Sequence, residues 1–244
     1  PEDVLCRVEI QVSGRGAVTP CRPFGILPGR SRTLTFTPEY GYEVVSVMVD
    51  GQEREPGQFL TLTAQAPGAL LVEVAFGSDG TVADSFHGGS GTEEDPYQIT
   101  TMAEFAYLAR QVNDGWSTSD TYFRVMNDIT FNDPACFALD GAGRPIGVAE
   151  GARPREWIPI GLPYDQSFDG VLDGGGHTIS GLYITGDREY AGLFGYIGSG
   201  AVVRNLTIRD GYLECPDGWM GAFVGKLDGR VENCHNDNVT VDGD

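Results

Sequence analysis

The carboxylates Asp165, Asp169 and Asp173 recur at intervals of four residues, and His177 continues the series. Such a set could cleave a glycosidic bond, which needs two carboxyl groups about 5 Å apart for retention or ~6.5–9.5 Å apart for inversion. Four residues of extended chain span roughly 13 Å, so Asp169 and Asp173 can meet only across a turn. Asp169-Gly170 and Asp173-Gly174 are themselves turn dipeptides, in which the carboxylate bonds local backbone, and this favours structural duty. His177 follows three glycines. As a general base it would need a partner within hydrogen-bond reach, and the flanking sequence supplies none. A hydrogen bond to an adjacent strand is its expected role; in an enzyme, the catalytic set would be Asp169, Asp173 and His177.

Asp79, Asp84, Glu93, Glu94 and Asp95 are weak calcium candidates, because hard oxygen ligands suit that ion. Their spacing matches neither an EF-hand loop nor a nonapeptide β-roll, so no cofactor is expected beyond that possibility. Trp116, Trp157 and Trp219, with Tyr183, Tyr190, Tyr196 and Tyr212, could build a sugar-stacking surface. Trp219, in the Pro216-Asp217-Gly218-Trp219 loop, is the expected exposed member, whereas Trp157 in a W-I-P-I-G run is expected to pack. The sequence contains no H-E-x-x-H, G-x-S-x-G, P-loop or dinucleotide fingerprint. Five cysteines without a C-x-x-C pair argue against structural zinc; Cys6 and Cys234 read as small buried residues. The net charge of −19 divides into −3 over residues 1–77 and −16 over residues 78–244, a surface that repels nucleic acid. No apolar run reaches the ~18 residues of a membrane span.

The elements that must position these residues announce themselves through a repeat. Ala191-Gly192-Leu193-Phe194-Gly195-Tyr196-Ile197, with Val203-Arg204-Asn205-Leu206-Thr207-Ile208 after it, is echoed by Gly221-Ala222-Phe223-Val224-Gly225-Lys226-Leu227 and Val231-Glu232-Asn233-Cys234. Phe194 and Phe223 are 29 positions apart, and Asn205 and Asn233 are 28 apart. A fixed period of that size marks stacked architectures, and short apolar strands broken by Gly and Asn predict a β-solenoid. Asn205 and Asn233 are expected at stacked turns, tolerating left-handed backbone and bonding along the column. The last repeat runs to Asp244, so the chain is expected to be a piece of a longer protein with further rungs.

Residues 1–77 predict a small all-β module. Its strands are signalled at Leu5–Val12, Thr33–Thr37, Glu43–Val49, Phe59–Thr63 and Leu70–Phe76, with hairpin turns at Ser13–Gly16 and Asp50-Gly51. On the first strand, Val4, Cys6, Val8 and Ile10 are expected to face inward. Residues 78–97, rich in Gly, Ser, Asp and Glu, read as a linker. Residues 98–244 open with one helix, capped by Thr101 and Glu104 and striped with Met102, Phe105, Leu108 and Val112, which is expected to cover the solenoid core. The stretch Pro134–Arg155 reads as an insertion.

Two resemblances follow from these motifs. Val8–Val12, Gly14–Val18, Thr35–Pro38, Gly41–Val47 and Val49–Gly51 resemble the β-grasp-like repeat modules of bacterial surface proteins, akin to internalin-type B repeats; this module is described as β-grasp-like or β-sandwich-like. The ordered series Gly91–Tyr97, capped helix, Asp128-Ile129, Trp157–Gly161, Phe168–Ile179 and the G-L-F-G units resembles GLUG-motif proteins, including regions related to the non-catalytic part of IgA-specific metallopeptidases. That resemblance implies a right-handed parallel β-helix on an exported, secreted or cell-wall-anchored bacterial surface protein. The expected role is a non-catalytic scaffold or adhesion region binding host glycan or glycoprotein, without inserting into a membrane. The alternatives are a β-helix glycosidase or lyase, and an accessory region of a secreted peptidase whose catalytic domain lies elsewhere.

Overall fold

The computed structural model describes residues 4–38, 41–162, 166–186, 188–216 and 218–243. Strands dominate, and Met102–Asn113 is the α-helix among the described residues. The chain divides into two compact units, Pro1–Thr81 and Val82–Asp244.

In the first unit, two sheets enclose one core. The larger sheet orders its strands Phe24–Ile26, Cys6–Ser13, Gly68–Ser78, Tyr42–Val49 and Gln52–Arg54, and the smaller sheet orders Gly16–Thr19, Ser31–Pro38 and Phe59–Thr63. The two long strands Cys6–Ser13 and Gly68–Ser78 run parallel, and the other pairings are antiparallel. Alternation sends Cys6, Val8, Leu34, Phe36, Val47, Val49, Val72, Val74 and Phe76 into the core. Val4 departs from the expected inward set: it precedes the strand and is 53% exposed. Asp50-Gly51 closes a two-residue hairpin with φ of 49° and 71°, the left-handed pair a type I′ turn requires. Ser13–Gly16 does not close a hairpin. Cys6–Ser13 pairs with Phe24–Ile26 and Gly68–Ser78, whereas Gly16–Thr19 pairs with Ser31–Pro38, so the segment carries the chain from one sheet to the other.

The second unit is built from parallel ladders. One contains Tyr97–Ile99, Tyr122–Val125, Val171–Asp173, Val202–Arg204 and Arg230–Glu232. A second contains Ile129–Thr130, Thr178–Ser180, Thr207–Arg209 and His235–Asp237. A third contains Tyr183–Thr185, Tyr212–Glu214 and Thr240–Asp242. Thr178 pairs with Thr207 and Tyr183 with Tyr212, an offset of 29, while Thr207 pairs with His235, an offset of 28. In-register pairing lines up buried Leu172 with Val203, Ile179 with Ile208, and Ile184 with Leu213. Phe194 pairs with Val224 rather than with Phe223, so the extra residue of the second repeat is taken up in its turn. Cys234, expected to be buried, is only partly so.

Turn geometry explains the Asn and Gly positions. Asn205 and Asn233 have φ of 56° and 49°, and the Asn233 amide donates to Asn205 Oδ1 at 2.8 Å. A second left-handed column holds Gly181, Asp210 and Asn238, with the Asn238 amide donating to Asp210 Oδ1 at 2.6 Å. A Cβ at Gly195 would stand 2.2 Å from the Gly161 carbonyl oxygen, and one at Gly225 2.6 Å from that of Trp219; those backbones approach too closely for a side chain.

The stretch Pro134–Arg155 carries an antiparallel hairpin, Phe137–Leu139 with Pro145–Val148. Ile129 pairs with Ile179 across 50 positions, against 29 for the next pair, and this stretch accounts for the difference. Asp140 closes the hairpin by accepting the Ala142 and Arg144 N–H groups at 2.8 and 2.9 Å. Asn238 donates to the Gly143 carbonyl at 3.0 Å, fixing the hairpin tip to the second turn column.

Candidate functional site

The carboxylates singled out by their spacing go to separate duties. Asp165 lies outside the described residues. Asp169 precedes the strand Val171–Asp173 and Asp173 ends it, so the two stand at opposite ends of an extended segment. Ser167 Oγ donates to Asp169 Oδ2 at 2.8 Å, and Asp169 lines a polar recess with Ser119, Asp120 and Tyr122. Asp173 heads the asparagine column. It accepts the Gly175 N–H at 2.9 Å and the Asn205 amide at 3.0 Å on Oδ1, and Arg204 Nε at 3.1 Å on Oδ2. Partial burial works to raise its pKa. The Gly175 N–H, Asn205 and Arg204 together outweigh that effect and hold the carboxyl below the ordinary aspartate value.

His177 does have a partner, on a neighbouring strand: its Nδ1 lies 3.3 Å from Asp128 Oδ1, which also accepts the Thr178 N–H at 2.9 Å. The Thr178 N–H, with His177 and Arg209, keeps the exposed Asp128 carboxyl below its usual range. The sequence held a signal for this pair. Aligning Asp128-Ile129-Thr130 with Thr178-Ile179-Ser180 sets Asp128 opposite Thr178, one residue from His177.

The calcium candidates divide between the two units. Asp79 accepts the Thr81 N–H at 2.7 Å within the first unit. Asp84, Glu93, Glu94 and Asp95 are exposed in the second, where the Asp95 N–H donates to Thr92 Oγ1 at 3.2 Å. Among the described residues no three metal-ligating side chains gather.

The aromatic residues separate as their contexts predict. Trp157 is fully buried, with Nε1 donating to the Leu193 carbonyl at 3.0 Å. Trp219 is 67% exposed. It follows Gly218, where a Cβ would lie 2.2 Å from the Arg188 carbonyl oxygen, and it pairs in register with Tyr190, its ring 6.3 Å from the Tyr190 ring. Tyr190 in turn lies 6.3 Å from Tyr196. Lys226 Nζ sits 4.2 Å from the centre of the Tyr196 ring, and the Tyr196 hydroxyl donates to Asp228 Oδ2 at 2.7 Å. Desolvation pulls the Lys226 pKa down, but Tyr196 and Asp228 outweigh it and the ammonium is held charged. The Trp219, Tyr190 and Tyr196 rings follow one another at tilts of 74° and 57°, with the Lys226–Asp228 ion pair, 3.7 Å apart, beside Tyr196.

Over 159 residues, 62% of this chain, the sequence is 33% identical to a protein of Evansella cellulosilytica described as a Gly-rich membrane protein. Over 159 residues, 64% of this chain, it is 30% identical to Halomucin of Haloquadratum walsbyi. The matched regions cover only 16% and 2% of those proteins. No family model matches the chain, and no solved structure matches it significantly. No helix among the described residues is long and apolar enough to cross a membrane.

Proposed function

We propose that Val82–Asp244 is a segment of a GLUG-type right-handed parallel β-helix, displayed on a cell-surface protein as a non-catalytic scaffold that contacts glycan or glycoprotein. Pro1–Thr81 serves as a spacer module of the bacterial β-repeat kind. The helix Met102–Asn113 covers the β-helix core. The observation that carries this reading is the set of parallel ladders that stack in register at offsets of 28–31 residues from Val171 onward, with inward columns of Leu, Ile and Val. Right-handed crossover is the strong default for parallel strands joined this way. The names of the two relatives, a membrane protein and a halomucin, and their far greater length agree with display as part of a large surface protein.

Glycan contact falls to the Trp219, Tyr190 and Tyr196 face. The test is a glycan array probed with the whole chain, followed by assays for released reducing ends on every binder. The expected outcome is binding without release, with at least one bound glycan weakened at least tenfold by Trp219→Ala and retained by Asp169→Asn and Asp173→Asn. Release of reducing ends that disappears in either aspartate variant, with the fold intact, would replace the scaffold by a glycosidase.

A further inference from the structure

A second aromatic site lies in the segment that reads as a linker in sequence. Phe86 stacks on Tyr97 with ring centres 4.7 Å apart, and meets Tyr107 of the helix edge-on at 5.0 Å. Tyr97 meets Trp116 edge-on at 6.2 Å. These four rings, with Ser85 and Gln111, line an open cavity of about 500 Å³, within the ~300–1,000 Å³ range typical of ligand sites. The walls are set in advance. A Cβ at Gly91 would fall 2.4 Å from the Tyr97 ring, so only glycine lets that ring lie where it does, and Phe123 backs the cluster 5.6 Å from Phe86 and 5.9 Å from Trp116. Rings already held in place lose little freedom on binding.

The lining defines the ligand. None of the six side chains is Asp, Glu, Lys, Arg or His, and a chain of net charge −19 disfavours an anion. The Ser85, Tyr97 and Tyr107 hydroxyls and the Gln111 amide hold no hydrogen bond to another described residue, so the cavity offers polar groups beside apolar ring faces. A neutral ligand with apolar C–H faces and a rim of hydroxyls satisfies both. We propose that this cavity binds a neutral pyranose unit of a polysaccharide, separately from the Trp219 face and whatever the fate of the scaffold reading.

The test is calorimetric titration of the whole chain with cellotetraose, mannotetraose and chitotetraose, and with a proline-rich decapeptide as the competing class. At least one oligosaccharide should bind. Tyr107→Ala and Gln111→Ala should each weaken it about tenfold or more with the circular dichroism spectrum unchanged, while Trp219→Ala leaves this binding in place. Gln111→Ala removes an amide from the half-exposed helix surface, and so keeps the test valid if Tyr107→Ala unfolds. Binding of the decapeptide alone, failure of all three sugars at millimolar concentration, or sugar binding untouched by Gln111→Ala would overturn the proposal.

Discussion

Asp173 shows how a candidate catalytic carboxylate becomes a structural one. Three donors converge on it, from Gly175, Asn205 and Arg204, and Asn233 extends the chain through Asn205. Its depressed pKa means the ionised form is favoured in the folded state, so its stabilisation is present above the ordinary aspartate value of ~3.9 and is lost as pH falls through the lower folded value. Asp173→Asn should therefore cost about 1–3 kcal/mol at pH 7. Urea melts of the two forms should converge as the pH is lowered below ~4, and a difference that persists undiminished at pH 2.5 would contradict this account. Residue roles were legible where they rested on local chemistry: Asp173 accepting the Gly175 N–H and the left-handed Asn205 and Asn233 follow from side-chain size and backbone preference, whereas Asp169, expected to bond local backbone, accepts Ser167 Oγ. The Asp128–His177 pair rests on a register between strands 50 positions apart, which local reasoning does not reach.

The helix Met102–Asn113 is the element most fully written in its own residues. Glu104 Oε2 accepts from Thr100 N at 2.5 Å, Thr100 Oγ1 at 2.9 Å and Thr101 N at 3.1 Å, while Thr101 Oγ1 accepts the Glu104 N–H at 3.3 Å. Met102, Phe105, Leu108 and Val112 are buried, and Phe105 meets Phe131 at 5.8 Å. Thr101→Ala should cost about 1 kcal/mol, and in a unit of this size that lowers the melting temperature by roughly 2–4 °C. Glu104→Ala should cost more, because three buried or half-buried donors lose a charged acceptor; thermal denaturation of the two variants gives the order, and the reverse order would sink the argument. Hairpins were less legible. Asp50-Gly51 carries the two residues that a type I′ turn selects, so it read correctly. Ser13–Gly16 has equally turn-prone residues, yet which strand pairs with Cys6–Ser13 is decided by Gly68–Ser78, over 50 residues later. Phe86 was illegible for a related reason: one aromatic among Gly, Ser and Asp has no periodicity to declare its burial.

The molecule as a whole consists of two units with separate cores. Leu34 is fully buried in the first, and Leu34→Ala should destabilise that unit by about 2–5 kcal/mol. Differential scanning calorimetry should resolve two transitions, with Leu34→Ala moving one and leaving the other in place; a single transition that shifts as a body would deny the division. Composition spoke for β structure and for a boundary after residue 77, close to the division at Thr81, but not for Val82 and the residues after it joining the second unit, which depends on which contacts close. The hairpin Phe137–Val148 carries a last consequence. The ladders keep their register although the chain between Ile129 and Ile179 spans 50 positions, against 29 between Thr178 and Thr207. The length of chain between successive strands of a ladder is thus free to vary, while the register in which those strands pair is fixed. Because Asn238 grips the Gly143 carbonyl, the Asp140–Arg144 tip makes that extra length a brace on the stack it interrupts.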